Sequence, residues 1–159
     1  GHTVGLDPTL ILAIAAIESR FNPFAQSAVG AQGLMQVMTR VHTDKFEAFG
    51  GTHAAFDPIS NLKVGVQILR ECIARAGSLE DGLRWYVGAA NSGDDGGYIG
   101  KVLSEQSHMK RVAGGSSVST SVPIGPPKVV APTMQEAVLL PVEPAQPAAS
   151  TPERVALLD

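Results

Sequence analysis

Cysteine is almost absent: the chain of 159 residues carries one, Cys72. A single thiol excludes an internal disulfide and any zinc site built on thiolates. Its place in an apolar helical pattern reads as a small core hydrophobe, not a nucleophile. Basic charge is thin as well. Twelve Lys and Arg against fifteen Asp and Glu leave a formal net charge of −3. Lys110 and Arg111 are the basic pair that sits together, and no basic patch or stripe of the kind that holds nucleic acid is visible. A nucleic-acid partner is therefore not expected. Long hydrophobic runs are missing too. Leu10 to Ile17 is far too short to span a bilayer, and it lacks the basic stretch and cleavage site of an export signal. The opening at Gly1-His2 reads as that of a processed or truncated chain.

Proline is scarce early and abundant late. Pro8, Pro23 and Pro58 are the only prolines in residues 1–112, and the other eight lie between Pro123 and Pro152. Residues 1–112 thus read as a folded domain. Residues 113–159, rich in Pro, Ser, Val and Ala, read as a disordered tail or linker. Within that tail, Met134 to Leu140 is apolar enough to dock on a partner. An apolar content of 44% suffices for one core. Asp7-Pro8 and Asp57-Pro58 are helix starts, with Asp as cap and Pro at the first helical position. Helices are expected from Thr9 to Ser19, after Pro58 along a stripe of Leu62, Val66 and Leu69, through Leu83, Trp85 and Tyr86, and from Tyr98 to Met109. Ser78 with Asp81 resembles a capping box for the third of these. No strand pair is convincing, so the fold class is all-α with a Pro-rich tail.

Glu18 stands out because Ile14, Ala15 and Ile17 around it are apolar. Periodicity alone favours a solvated glutamate at a helix end, paired with Arg20, since most carboxylates face water. Forced among apolar groups, the same carboxyl would hold its proton to higher pH and could protonate a leaving group. The segment Ala25 to Met38 follows, with Gly30 and Gly33 for close backbone approach. Its Ser27 and Gln36 are hydrogen-bonding side chains, and the Gln36 amide suits a sugar hydroxyl or acetamido group, whereas composition alone favours a tight turn between helices.

The run Glu18-Ser19-Arg20-Phe21-Asn22-Pro23, then Ala25, Ser27, Gly30-Ala31 and Gly33-Leu34-Met35-Gln36, resembles the signature of the soluble lytic transglycosylases. Gly5-Leu6-Asp7-Pro8 with Leu12-Ala13-Ile14 upstream fits the same pattern. So do Phe56-Asp57-Pro58, Asn61, Gly65 and Leu69-Arg70 downstream. The resemblance covers roughly residues 5 to 112, and its motifs fall in order along the chain. It implies a goose-lysozyme-like helical fold that cuts the β-1,4 bond between N-acetylmuramic acid and N-acetylglucosamine and leaves a 1,6-anhydro end. It also implies Glu18 as the acid, Ser27 as a hydrogen-bonding partner near it, and Met35 and Gln36 along the sugar groove. The family often carries an Ala-Tyr-Asn motif, for which Trp85-Tyr86-Val87 is the counterpart. Tyr86 would bond Glu18 or the acetamido group. Val87 replaces the asparagine, and Asn91, one helical turn on, would substitute in part.

The chemistry stands without the family name. Ordinary glycosidases use two carboxylates, about 5–5.5 Å apart when retaining and about 6.5–9.5 Å apart when inverting. If the sugar's own C6 hydroxyl attacks, one carboxyl can act first as acid and then as base. No metal and no cofactor is then required. His2, His42, His53 and His108 show no ligand spacing. Asp94-Asp95 lacks the alternating pattern of a calcium loop and reads as a solvated turn. The expected partner is the peptidoglycan strand, met by a monomer outside the cytoplasmic membrane, with secretion, flagellar or phage assemblies as docking partners for the tail. Two rivals are a goose-type muramidase, with Asp57, Asp94 or Asp95 as second carboxylate, and a catalytically silent glycan-binding or assembly module.

Overall fold

A computed structural model of the chain describes residues 5–115. The tail beyond them, with Met134 to Leu140, lies outside the described residues, as does His2. Five helices carry the fold: α1 (Pro8–Ser19), α2 (Thr43–Glu47), α3 (Pro58–Ala76), α4 (Leu79–Tyr86) and α5 (Tyr98–Ala113). A 3-10 turn (Thr52–Phe56) precedes α3. The architecture is all-α and lysozyme-like, with α3 packed along α4 and α1 along α5. None of the described helices is long and apolar enough to cross a membrane.

Both Asp-Pro signals start helices for the expected reason. Asp7 Oδ1 accepts from Thr9 N at 2.9 Å, and Asp57 Oδ2 accepts from Ser60 N at 2.8 Å, each satisfying an orphan amide of the first turn. Asp7 also joins the ends of two helices. Its Oδ2 pairs with Lys110 Nζ at 2.9 Å, and hydrogen bonds from Thr9 and Lys110 hold its pKa down to about 2. Ser78 caps α4 by accepting from Asp81 N at 3.1 Å. Its hydroxyl donates to Asp81 Oδ2 at 2.8 Å, so Asp81 returns a bond to the cap side chain and not to the cap amide.

The core gathers Ile14, Val37, Phe46, Leu69, Leu83 and Val102 from every helix and the segment between α1 and α2. On α3 the buried stripe is Val64, Ile68, Leu69 and Cys72, one step round from the expected line, so Leu62 and Val66 sit at its margin. Cys72 is buried, and burial pushes its thiol up to about 11. Helix α1 is less enclosed than its sequence suggests: Leu12 stays 47% exposed.

The expected absence of a strand pair is corrected. Ala31–Gln32 (β1) and Val37–Met38 (β2) form an antiparallel hairpin with Ala31 opposite Met38. Strands of two residues carry too little alternation to be read from sequence. Asn61 on α3 locks this hairpin in place. It is fully buried. Its Oδ1 accepts from Met35 N at 2.8 Å, and its Nδ2 donates to Gln32 O at 2.9 Å and Ala55 O at 2.8 Å. Gly33 sits against this knot at φ 76°, where a Cβ would strike the Ala55 carbonyl and the Asn61 amide.

Candidate active site

Glu18 lies in the last turn of α1. The helix is stopped by two successive residues in the left-handed region, Arg20 at φ 53° and Phe21 at φ 62°. Their amides return to Ala16 O at 3.1 Å and Ala15 O at 3.3 Å, which satisfies the last carbonyls. Each such residue costs about 1–2 kcal/mol, and strain of this kind gathers at working sites. The turn leaves Glu18 at the helix end, half-buried, facing α5.

Tyr98, the first residue of α5, donates its hydroxyl to Glu18 Oε1 at 2.8 Å. Burial raises the Glu18 pKa from the ordinary 4.5 to about 7, and the Tyr98 hydrogen bond opposes it. Burial, and after it the nearby Glu18, push the Tyr98 phenol well above its ordinary value, so it stays a neutral donor. Tyr98 is held in turn by the loop before it. Asp95 Oδ1 accepts from Gly97 N at 3.0 Å and Oδ2 from Ile99 N at 2.9 Å, while Asp94 Oδ1 accepts from Gly96 N at 2.8 Å. Asp95 thus holds an amide in the first turn of the helix that presents Tyr98, while Asp94 closes the turn before it.

The other expected site residues are placed as follows. Ser27 is half-buried; its Oγ accepts from Ala31 N at 3.0 Å, and its hydroxyl hydrogen donates to no described group. Gln36, at φ 48°, uses its amide as a clamp, donating to Ala25 O at 3.1 Å and Gly33 O at 3.0 Å. It anchors the loop beside the hairpin, and its carbonyl oxygen carries the remaining hydrogen-bonding capacity.

Three expectations are corrected. Met35 does not line a groove: it is 0% exposed, and its sulfur fills the space over Gly65, where a Cβ would meet Sδ at 2.5 Å. Tyr86 donates its hydroxyl to Met35 O at 2.8 Å in the core and not to Glu18. Asn91 is not one helical turn beyond that motif. Helix α4 ends at Tyr86, Gly88 turns the chain at φ 79°, and Asn91 is exposed in the loop that follows.

Sequence reasoning missed Tyr98. The signal available was that the chain has only two tyrosines, and Tyr98 opens a helix directly after a Gly-rich loop. A contact spanning 80 positions has no local signature. The carboxylates weighed as a second acid are committed elsewhere. Asp57 accepts from Ser60 N and Oγ at 2.8 and 2.6 Å, Asp95 accepts from Ile99 N in the first turn of α5, and Asp94 accepts from Gly96 N in the exposed loop before it. The influences on Glu18 ionisation are burial and Tyr98, with no charged side chain among them.

Residues 1–101 match the family model described as the Transglycosylase SLT domain. Among curated proteins the chain is similar to the transglycosylase of Enterobacteria phage PRD1, 37% identical over 102 residues, which cover 62% of this chain and 37% of that protein. It is also similar to the type IV secretion system protein virB1 of Brucella abortus biovar 1 (strain 9-941), 28% identical over 171 aligned positions, covering 89% of this chain and 72% of that one. The match with the protein of Brucella suis biovar 1 (strain 1330) has the same extent. The chain spans little more than a third of the phage relative's length. With a family match over well more than half its residues, the chain belongs to the transglycosylase SLT domain family.

Proposed function

We propose that this chain is a lytic transglycosylase that cleaves the β-1,4 bond between N-acetylmuramic acid and N-acetylglucosamine in peptidoglycan, with Glu18 as its one acid and base. The observation that carries the proposal is a carboxyl, raised by burial to about 7, whose one hydrogen bond among the described residues comes from a neutral phenol.

In the first step the Glu18 carboxyl gives its proton to the glycosidic oxygen as the C1–O bond breaks. Tyr98 donates to Oε1, so the transferable proton belongs on Oε2. The carboxylate that remains keeps the Tyr98 hydrogen bond, which is stronger to the charged form. In the second step that carboxylate takes the proton of the muramic C6 hydroxyl while O6 bonds to C1. Glu18 is restored, no water is consumed, and a 1,6-anhydro end is left. The substrate's acetamido oxygen steadies the positive charge at C1 between the steps. In the Ala25 to Met38 segment, Ser27 has an uncommitted hydroxyl hydrogen for a sugar group, and the Gln36 carbonyl oxygen, on a side chain 5% exposed, is the narrower candidate.

The muramidase alternative requires a positioned water and usually a second carboxylate; of the acids weighed for that part, Asp57 and Asp95 serve helix starts and Asp94 holds a loop turn. Running the reaction in water enriched in oxygen-18 separates the two. A transglycosylase gives no labelled sugar end, whereas a hydrolase labels every new reducing end. A silent glycan-binding module gives no new ends at all. The named relatives are a phage transglycosylase and a type IV secretion protein. By that likeness, the proposed setting is local opening of the wall outside the cytoplasmic membrane, for a secretion machine or a phage, with residues 113–159 as a tether or docking segment.

A further inference from the structure

Two depressions meet at Trp85, the only tryptophan of the chain. One is a cavity of about 210 Å³ whose wall includes His42, Ile68, Cys72 and Tyr86, and the other runs past Arg84 to Ala90 and Gly93. Arg75 and Trp85 line both. Tyr86 links this surface to the acid. Its hydroxyl is fixed on the Met35 carbonyl, and it lies near enough to Tyr98, the partner of Glu18, to bear on that phenol's ionisation.

Most charges here cancel in pairs. Lys45 meets Glu71 at 2.8 Å, and Arg84 meets Asp81 at 2.7 Å. Burial, with Lys45 beside it, holds His42 toward its neutral form. Two charges are left over. Arg75 makes no ion pair among the described residues and is exposed on α3, and Asp44, exposed on α2, lines the same cavity. The surface is therefore bipolar, with an indole and Ile68 also in its lining. A guanidinium fork takes a carboxylate in two parallel hydrogen bonds, an isolated carboxylate takes an ammonium, and an indole face takes apolar C–H groups. A plain neutral glycan would use only the last of these.

We infer that the joined depressions hold the zwitterionic stem peptide of a peptidoglycan strand, with a carboxylate on Arg75, the peptide body against Trp85 and an ammonium group toward Asp44. The inference rests on the proposal that the chain acts on peptidoglycan, and it adds that the enzyme reads the peptide as well as the sugar.

The test uses the Glu18→Gln chain, so that nothing is cleaved, and the emission of Trp85 as reporter. Soluble peptidoglycan strands bearing uncross-linked stem peptides are titrated beside a neutral hexamer of N-acetylglucosamine, and sedimentation with whole peptidoglycan is measured in parallel. Peptide-bearing strands are expected to shift Trp85 emission and to bind roughly tenfold tighter than the hexamer, the scale of one charge-assisted contact. Adding Arg75→Gln is expected to erase that difference and to leave the hexamer affinity unchanged. Equal affinities that Arg75→Gln does not alter, or strand binding with silent Trp85 emission, would overturn the inference while sedimentation upholds the glycan reading. A chain folded by circular dichroism that binds neither probe and does not sediment with peptidoglycan would overturn both.

Discussion

Glu18 and Tyr98 together set the working pH of the site. Catalysis begins from the protonated acid, so kcat/KM on peptidoglycan is expected to fall with a single ionisation near pH 7 as pH rises. The Tyr98 hydrogen bond lowers the Glu18 pKa against the larger effect of burial. Tyr98→Phe should therefore carry that falling limb to higher pH and reduce the plateau, as a pH profile of both proteins would show. A limb left in place would remove Tyr98 from the acid's control. Glu18 also leaves a mark on stability. Its folded pKa, about 7, lies above the ordinary 4.5, so between those values the folded chain binds more protons than the unfolded one. Stability then falls as pH rises through that window, by about 3 kcal/mol when complete. Glu18→Gln should abolish this loss, so urea unfolding at pH 5 and pH 8 should differ less in the variant than in the parent. Glu18 stands out as the acid only through the resemblance of its surrounding motifs, since periodicity alone favours a solvated glutamate, and its partner is not legible at all. The sequence points to Tyr86 as the donor, and only the packing of α1 on α5 brings Tyr98 to the acid instead.

At the scale of elements, the site depends on a hairpin of two-residue strands that cannot hold itself. Asn61 supplies the missing restraint with three hydrogen bonds, buried ones to Met35 and Ala55 and a part-buried one to Gln32. Asn61→Ala would orphan those backbone groups, with an expected loss of about 2–4 kcal/mol in chemical unfolding. Activity per folded molecule should fall as well, since the hairpin carries Gln36. A loss below about 0.5 kcal/mol would show that the knot is not structural. The helices here were largely legible, because Asp7-Pro8, Asp57-Pro58 and Ser78 act through local capping chemistry. The hairpin, the short α2 and the 3-10 turn were not, since each is shorter than the window over which periodicity speaks. Met35 was misplaced for the same reason. Only the approach of α3, with Gly65 beneath the thioether, puts that side chain in the core.

Across the whole molecule, the apolar cluster of the described residues draws its members from Leu6 to Met109, and we propose that the chain needs nothing beyond Gly115 to hold it together. A chain ending at Gly115 is expected to keep its thermal midpoint within about 2 °C of the parent. A drop of 10 °C or more would give the tail a structural part. The all-α class was legible from helix caps and apolar content, whereas the groove around Trp85 was not, because it is assembled from α2, α3 and α4 at once. The central claim is that one carboxyl and the sugar's own hydroxyl suffice to cut the strand. Mass analysis of the muropeptides released from purified peptidoglycan by the parent and by Glu18→Gln tests it most directly. The account predicts products lighter by one water than their reducing-end equivalents, all absent with the variant. Reducing-end products from the parent, or anhydro products that persist with Glu18→Gln, would contradict it.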